Sequence, residues 1–293
     1  MANVIALFKK YIDLLDEVYK VASLTAGLDS DPSLARAGAN ANEIIIPKLS
    51  MDGLAAYSRN DGYVKGSVAL TNETVTFNYD RGRKFSIDAM DNEETAGVAF
   101  GRLSSEFIRT KVVPEIDAFR YATYAGITGI SKVATGATLA DGAAVIAALR
   151  AAITQMDEDE VPQEDRHLHI TPTLHGVVDD MDTTKSKAVL NKFASVTDVP
   201  QSRFYTAIDL HDGETSGEEA GGFVKDAAAA DINFMIFHKP ALMQYRKHLV
   251  NKVIAPEVNQ ESDAWLFFYR SYGLADAYEN KLAGIYLHHK AVV

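Results

Sequence analysis

Between Asp91 and Gly126 the apolar residues keep a helical period longer than anywhere else in the chain. Phe100, Leu103 and Phe107 form one row, and Ile108, Val112, Ile116 and Phe119 form a second, at the three- and four-residue spacings of a helix face. This predicts one long spine helix. Asp91 and Glu94 make a D-x-x-E start, and Gly126 is a residue that closes helices in the left-handed conformation. Its length would be about 50 Å, more than a small compact core needs. Pro114 interrupts it by removing the hydrogen bond to the carbonyl of Thr110, which predicts a kink or a division into two collinear pieces.

Other stretches carry other periods. Ile5, Phe8, Ile12, Leu15 and Tyr19 alternate with charged residues over residues 2–24, an amphipathic helix in need of a partner surface. Residues 24–42 are rich in Ala, Gly, Ser, Asp and Asn and read either as an arm running over the fold or a neighbour, or as a plain surface loop. The runs IIIPKL, YVKGSVAL, ETVTFNYD and RKFSIDAM then read as strands of a long hairpin. In the third run Val75, Phe77 and Tyr79 alternate with Thr74, Thr76 and Asn78, and Thr71-Asn72-Glu73 is expected to turn before it. A two-stranded hairpin is marginal alone in water, so its apolar face needs a surface in its own domain or on another subunit.

After the spine, Asp141 is expected to cap an alanine-rich helix ending near Met156, with the acidic run 157–160 as a solvated turn. Strands are expected at His167 to Ile170, in INFMIFH, in AWLFFYRSYG and in KLAGIYLHH, with short helices over 173–181 and 186–193. Residues 209–222, acidic and glycine-rich, should be an exposed loop. Helices and strands mix without a βαβ repeat, which is the α+β class.

Composition narrows the chemistry. The 293 residues are 47% hydrophobic and 24% charged, enough for a sizeable core in one large or two smaller domains. Cysteine is absent, which excludes disulfides, thiolate metal sites and cysteine nucleophiles. A net charge of -11 argues against a surface built to wrap nucleic acid, though a local basic face is compatible with it. No secretion signal is visible and no run has the length of a membrane span. Gly126, Gly129 and Lys132 in GITGISK lack the Gly-Lys-Ser/Thr of a phosphate loop, and Ser216 in GETSG sits one place late for a nucleophile elbow. His167, His169 and His175 offer a metal spacing, against a bland reading as polar residues of a strand. Asp179, Asp180 and Asp182 lack the glycine and glutamate of a calcium loop, and His288 and His289 point to opposite strand faces. Basic residues cluster at Arg81, Arg83 and Lys84 and at Arg246, Lys247 and His248; pairing with neighbouring acids is preferred to phosphate binding.

The order of parts resembles the major capsid proteins of tailed phages, whose fold is named after phage Hong Kong 97. The resemblance runs over nearly the whole chain: the arm; the hairpin ending in FSIDAMD; the spine EFIRTKVVPEIDAFR; the alanine-rich helix leading through Val161-Pro162 into HLHITP; then VPQSRFYT, GGF, INFMIFHKPA, YRKH, and RSYGLADAYENKLAGIYLHH.

That resemblance implies a Hong Kong 97-type fold: an N-terminal helix and arm (1–43), an extended hairpin loop (44–88) lying on a neighbouring subunit, a peripheral domain on the spine (89–127 with 254–278), and an axial domain (128–253 with 279–293). It implies contacts to a neighbour from Lys65, Val75, Phe77, Tyr79, Arg81 and Arg83, and spine packing through Phe100, Leu103, Phe107, Ile116 and Phe119. The function implied is a non-enzymatic shell: hexamers and pentamers closing an icosahedral virion around double-stranded DNA that is not read by sequence. Assembly would take place in the host cytoplasm, with portal, separate scaffold and decoration proteins as further partners. No catalytic, cofactor or metal site and no membrane partner is expected. Some family members crosslink a lysine to an asparagine, for which Lys65 and Asn259 are the nearest positions. The alternatives are an encapsulin-like nanocompartment shell and a metal-dependent α+β hydrolase.

Overall fold

A computed structural model of the chain describes residues 22–30, 36–37, 43–94, 102–181 and 183–291. The helix expected over residues 2–24, apart from a non-helical Ala22 to Leu24, lies outside them, as do Phe100 and Asp182.

The chain makes one 3-10 turn at Ala26–Leu28 and reaches β1 (Arg36–Ala37), which pairs with β2 (Glu43–Met51). β2 returns antiparallel against β3 (Val68–Thr76), Glu43 opposite Thr76 and Met51 opposite Val68. The turn expected at Thr71-Asn72-Glu73 is not formed: these residues pair with Lys48, Pro47 and Ile46 inside a continuous strand. A glycine-free Thr-Asn-Glu is a weak turn, threonine favours strands, and the full ladder wins. The next strand, β4 (Tyr79–Asp88), leaves the hairpin for another sheet, and α1 (Ala89–Glu94) follows.

The spine then runs as α2 (Leu103–Phe107), a π turn over Ile108–Val112, and α3 (Val113–Gly126). The break expected at Pro114 takes the form of that wide turn. The Val113 N–H reaches back to the Ile108 carbonyl, and Pro114 falls in the first turn of α3, where a missing N–H is tolerated.

β5 (Ser131–Lys132) leads to α4 (Gly142–Glu158), whose start is capped by Asp141 accepting from the Ala144 N–H. β6 (Arg166–Ile170), α5 (Pro172–Asp179), α6 (Thr184–Leu190) and β7 (Ser195–Asp198) come next. The ribbon β8 (Ile208–Leu210) and β9 (Phe223–Lys225) encloses the acidic loop. Then follow β10 (Ile232–His238), β11 (Leu242–Ile254), β12 (Ala264–Ala277) and β13 (Ile285–His289).

Two sheets carry the fold. One has five strands in the order β5-β13-β10-β6-β7, with parallel pairs at its edges. Its middle strand β10 is apolar almost throughout because both faces are covered. α4 closes one face through Val145, Leu149, Ile153 and Met156 against Leu168 and Phe234, while Tyr121 and Tyr124 of α3 close the other against Met235 and Phe237.

The second sheet has the order β11-β12-β4 and carries the spine across one face. The expected partition put 242–253 with the axial part and 79–88 with the hairpin. In the ladder β12 pairs with β11 from Leu242 to Ile254 and with β4 from Tyr79 to Asp88, so both stretches share one sheet with 264–277. Apolar residues on both partners make β12 a central strand, a preference that periodicity along one strand does not reveal.

Candidate assembly surface

The hairpin is anchored at one end only. At its base Ile44, Ile46 and Val75 are buried against Met243, Tyr245 and Leu274 of the second sheet. Phe77 stacks on Tyr272 with ring centroids 5.0 Å apart, and the Lys247 ammonium lies over both rings. Lys48 forms an ion pair with Glu279, and burial together with Glu279 pushes the Glu73 carboxyl above its usual range.

Beyond this base the apolar residues have no cover among the described residues. Leu49, Met51, Tyr57, Val64, Val68 and Leu70 are all more than half exposed, Tyr63 is 89% exposed and Leu54 fully so. The tip is nonetheless ordered by its own contacts. Asp52 and Ser67 exchange hydrogen bonds, Ser58 and Gly62 form a bridge, and Tyr57 meets Tyr63 edge-on at 4.9 Å. Gly62 has φ of +80°, a conformation other residues rarely adopt, which closes this small loop. So large a contiguous apolar patch is unusual for a surface left to solvent.

The face formed by Val75, Phe77 and Tyr79 is not the uncovered one. The sequence left its partner open between its own domain and another subunit, and here Val75 and Tyr79 are each 6% exposed, with Tyr79 packed on Phe119 of the spine. The ladder breaks at Phe77 and Asn78, between β3 and β4, so a single alternating run serves two sheets. Arg81 and Arg83 also belong to β4. Arg81 binds the buried Glu115 carboxylate at 2.8 Å, and Tyr79 donates to the same oxygen at 3.2 Å. Burial and the Glu115 charge push the Tyr79 phenol far up.

Arg83 donates to the Glu219 carbonyl and Arg81 to that of Gly222, so the acidic loop 209–222 is pinned across the sheet edge while most of its side chains stay exposed. Between loop, β4 and spine lies a cleft of about 800 Å³, lined by Phe85, Phe107 and Tyr269 with Lys111 at its side. The spine residues Leu103, Phe107, Ile116 and Phe119 meet in one cluster with Phe85 and Phe267. Phe107 sits edge-on to Phe85 at 4.8 Å and to Tyr269 at 5.9 Å.

The histidines do different work. His169 is enclosed by Tyr121, whose hydroxyl lies 2.7 Å from Nδ1, and by Phe237; burial holds its pKa down to about 3. His167 contacts Ser195, and His175 lies between Asp198 and Asp179. Among the described residues these rings do not converge on a common point that could hold a metal. His288 lies 3.0 Å from the Asn233 amide, and His289 faces the Lys290 carbonyl. Lys65 is exposed on the hairpin tip. The Asn259 side chain is occupied in a turn with Ser262, Ala264 and the Glu261 N–H. Within the hairpin 44–88 the sequence analysis names only Lys65 of the exposed stretch 49–70, whose large apolar residues stand among glycines and polar residues without a period.

The fold is that of the capsid proteins of tailed phages. A structure from Mycobacterium phage Che8 superimposes with a TM-score of 0.64 at 11% identity, over 96% of this chain and 96% of the other. The capsid of cyanophage P-SCSP1u gives 0.60 at 12% identity, covering 98% and 93%. A virus-like particle from Pyrococcus furiosus gives 0.52 at 11% identity, covering 82% and 86%. No protein-family model matches the sequence, and no curated protein sequence does.

Proposed function

We propose that the chain is the shell-forming major capsid protein of a tailed phage, of Hong Kong 97 type, assembling as hexamers and pentamers into an icosahedral virion around double-stranded DNA. The observation that carries this reading is the hairpin, buried at its base and apolar and uncovered along its outer half, on a fold shared with capsids. The hairpin 43–76 is the loop that lies on a neighbour. Its contact set is Lys65 together with Leu49, Leu54, Tyr57, Tyr63 and Leu70. Tyr79, Arg81 and Arg83 act within the subunit instead, and Val75 and Phe77 anchor the loop. The spine with the sheet β11-β12-β4 forms the peripheral part, and the sheet around β10 forms the axial part. The chain performs no catalysis in this reading. Its partners are further copies of itself, a portal, a scaffold and decoration proteins, with assembly in the host cytoplasm.

Electron microscopy and sedimentation of the purified chain test the proposal: rings of six or five, or closed shells, are expected. A monodisperse monomer at high concentration would overturn it. The Pyrococcus particle favours one second reading, a nanocompartment shell. Particles from the native source holding nuclease-protected duplex DNA support the virion; protein cargo without DNA supports the compartment.

A further inference from the structure

The second sheet has two edges, and the chain treats them differently. β4 has the acidic loop pinned along its side through Arg81 and Arg83. Among the described residues β11 is covered only at its start. There the Ser30 N–H donates to the Gln244 carbonyl at 3.1 Å, the Gln244 N–H to Ser30 Oγ at 3.1 Å, and Ser30 Oγ to the Leu242 carbonyl at 2.7 Å. Past the bulge between Arg246 and His248, the stretch from His248 to Ile254 pairs with β12 on one side and with no strand among the described residues on the other. Along such an edge every second residue turns its N–H and C=O to the open side.

The side chains of this open stretch sort by face. Val253 lies opposite Phe267 and Leu249 opposite Ser271, and Phe267 packs on the spine. Cross-strand partners share a face, so these two apolar residues stand on the spine side, 48% and 47% exposed. Lys252 lies opposite Phe268 and His248 opposite Tyr272 on the other side. There the Lys84 ammonium sits over the Phe268 ring, and Arg270 takes up both oxygens of Asp80, at 2.8 and 2.6 Å. The open edge thus offers apolar contact on one face and cations on the other, in a chain whose net charge is -11. A lysine blunts an edge against unwanted pairing, whereas exposed apolar residues beside it do the reverse.

We propose that β11 from His248 to Ile254 is a docking edge for an extended segment of a different protein, one that alternates apolar and acidic residues and adds a fourth strand to the sheet β11-β12-β4. Its apolar side chains cover Leu249 and Val253 while its carboxylates lie beside His248 and Lys252, the period of two that strand addition reads. A second copy of the chain is a poorer match. Two such edges paired antiparallel about Val250 set His248 against Lys252 at both ends and bring no acid to either, and the outer strand of the hairpin, β3, carries a single acid, Glu73. Duplex DNA answers the cations but leaves the backbone edge and the two apolar residues uncovered.

The test uses the full chain as dilute, unassembled subunits. The probe is a fluorescent, acetylated peptide of about nine residues alternating glutamate and valine, long enough for one strand. One control peptide has lysine in place of glutamate, and another keeps the glutamates but has every backbone nitrogen methylated, so that it cannot donate to a ladder. With the glutamate peptide the amides of 248–254 should exchange about tenfold more slowly, while protection of 113–126 stays as it was. His248→Glu/Lys252→Glu should turn the preference toward the lysine peptide. The milder Lys252→Gln, at an exposed position, should weaken the glutamate peptide without lowering the melting temperature. Absence of protection at 248–254, or equal binding of the methylated peptide, would overturn strand addition. Equal binding of the lysine and glutamate peptides would overturn the choice of an acidic partner. Slowing of the same amides by self-association of the subunits alone, or by a duplex oligonucleotide as fully as by the peptide, would overturn the proposal in favour of a second copy or of nucleic acid.

Discussion

The sharpest quantitative prediction concerns His169. Its ring is buried, lies against Tyr121 and Phe237, and has its pKa lowered to about 3 by burial, with a smaller push from His167. In the unfolded chain it titrates near 6.5. The folded pKa is depressed, so as pH falls below 6.5 the unfolded state takes up the proton first. The stability that a neutral His169 contributes is complete above 6.5 and is lost as pH falls toward 3. Between pH 6.5 and 4 the loss from this one group is about 3 kcal/mol at 1.36 kcal/mol per pH unit. His169→Gln keeps an acceptor for the Tyr121 hydroxyl and cannot titrate. Urea unfolding of unassembled subunits at a series of pH values should show a shallower acid slope in the variant, whatever its offset at neutral pH. His288, lowered by burial to about 4, acts in the same direction but is common to both proteins. Equal slopes for wild type and variant would show that His169 is not enclosed as described.

Leu54→Ser with Tyr63→Ser should leave the melting temperature of the subunit unchanged and abolish or strongly weaken assembly, each residue contributing about 1.5–3 kcal/mol when covered by a neighbour; light scattering against melting curves separates the two effects. Phe107→Ala or Ile116→Asp should destabilise the subunit by roughly 3–5 kcal/mol, whereas Glu214→Ala in the exposed loop should change it by less than about 0.5 kcal/mol, both read from denaturant midpoints. Duplex DNA should bind isolated subunits weakly, without sequence preference and in a strongly salt-dependent way, near Arg81, Arg83 and Lys84 or near Arg246 and Lys247. Titration of unrelated duplexes at two salt concentrations checks this, and tight binding at moderate salt would contradict it.

What could be read from the residues follows from which forces act locally. The spine after residue 102, the Asp141 cap, the strand at β10 and the exposed acidic loop each depend on period, capping or polarity within one stretch, and all are present. The failures are pairings between distant stretches. Nothing in ETVTFNYD says that the chain changes sheet after Phe77, because the change depends on the contacts of Tyr79 with the distant Phe119 and Glu115. Likewise nothing within residues 242–254 shows that they pair along their whole length with β12. The exposed apolar surface of the hairpin was obscured for a different reason: a residue that packs on no other described residue has no period imposed on it. The resemblance of ordered motifs supplied the fold that these local signals left open.

The π turn in the spine has a consequence for phase. Along a uniform α-helix each residue advances about 100°, so Phe107 and Ile116, nine positions apart, would point to opposite sides of the rod. A π turn advances less per residue and sets everything beyond it back by about one residue's rotation. That offset brings Ile116 and Phe119 round to the side of Leu103 and Phe107, and all four share one cluster. Two rows read as separate in the sequence are thus one seam, timed by the extra residue. Deleting a single residue between Ile108 and Val112 would give a more regular helix and a worse protein, with half the seam rotated away from the sheet.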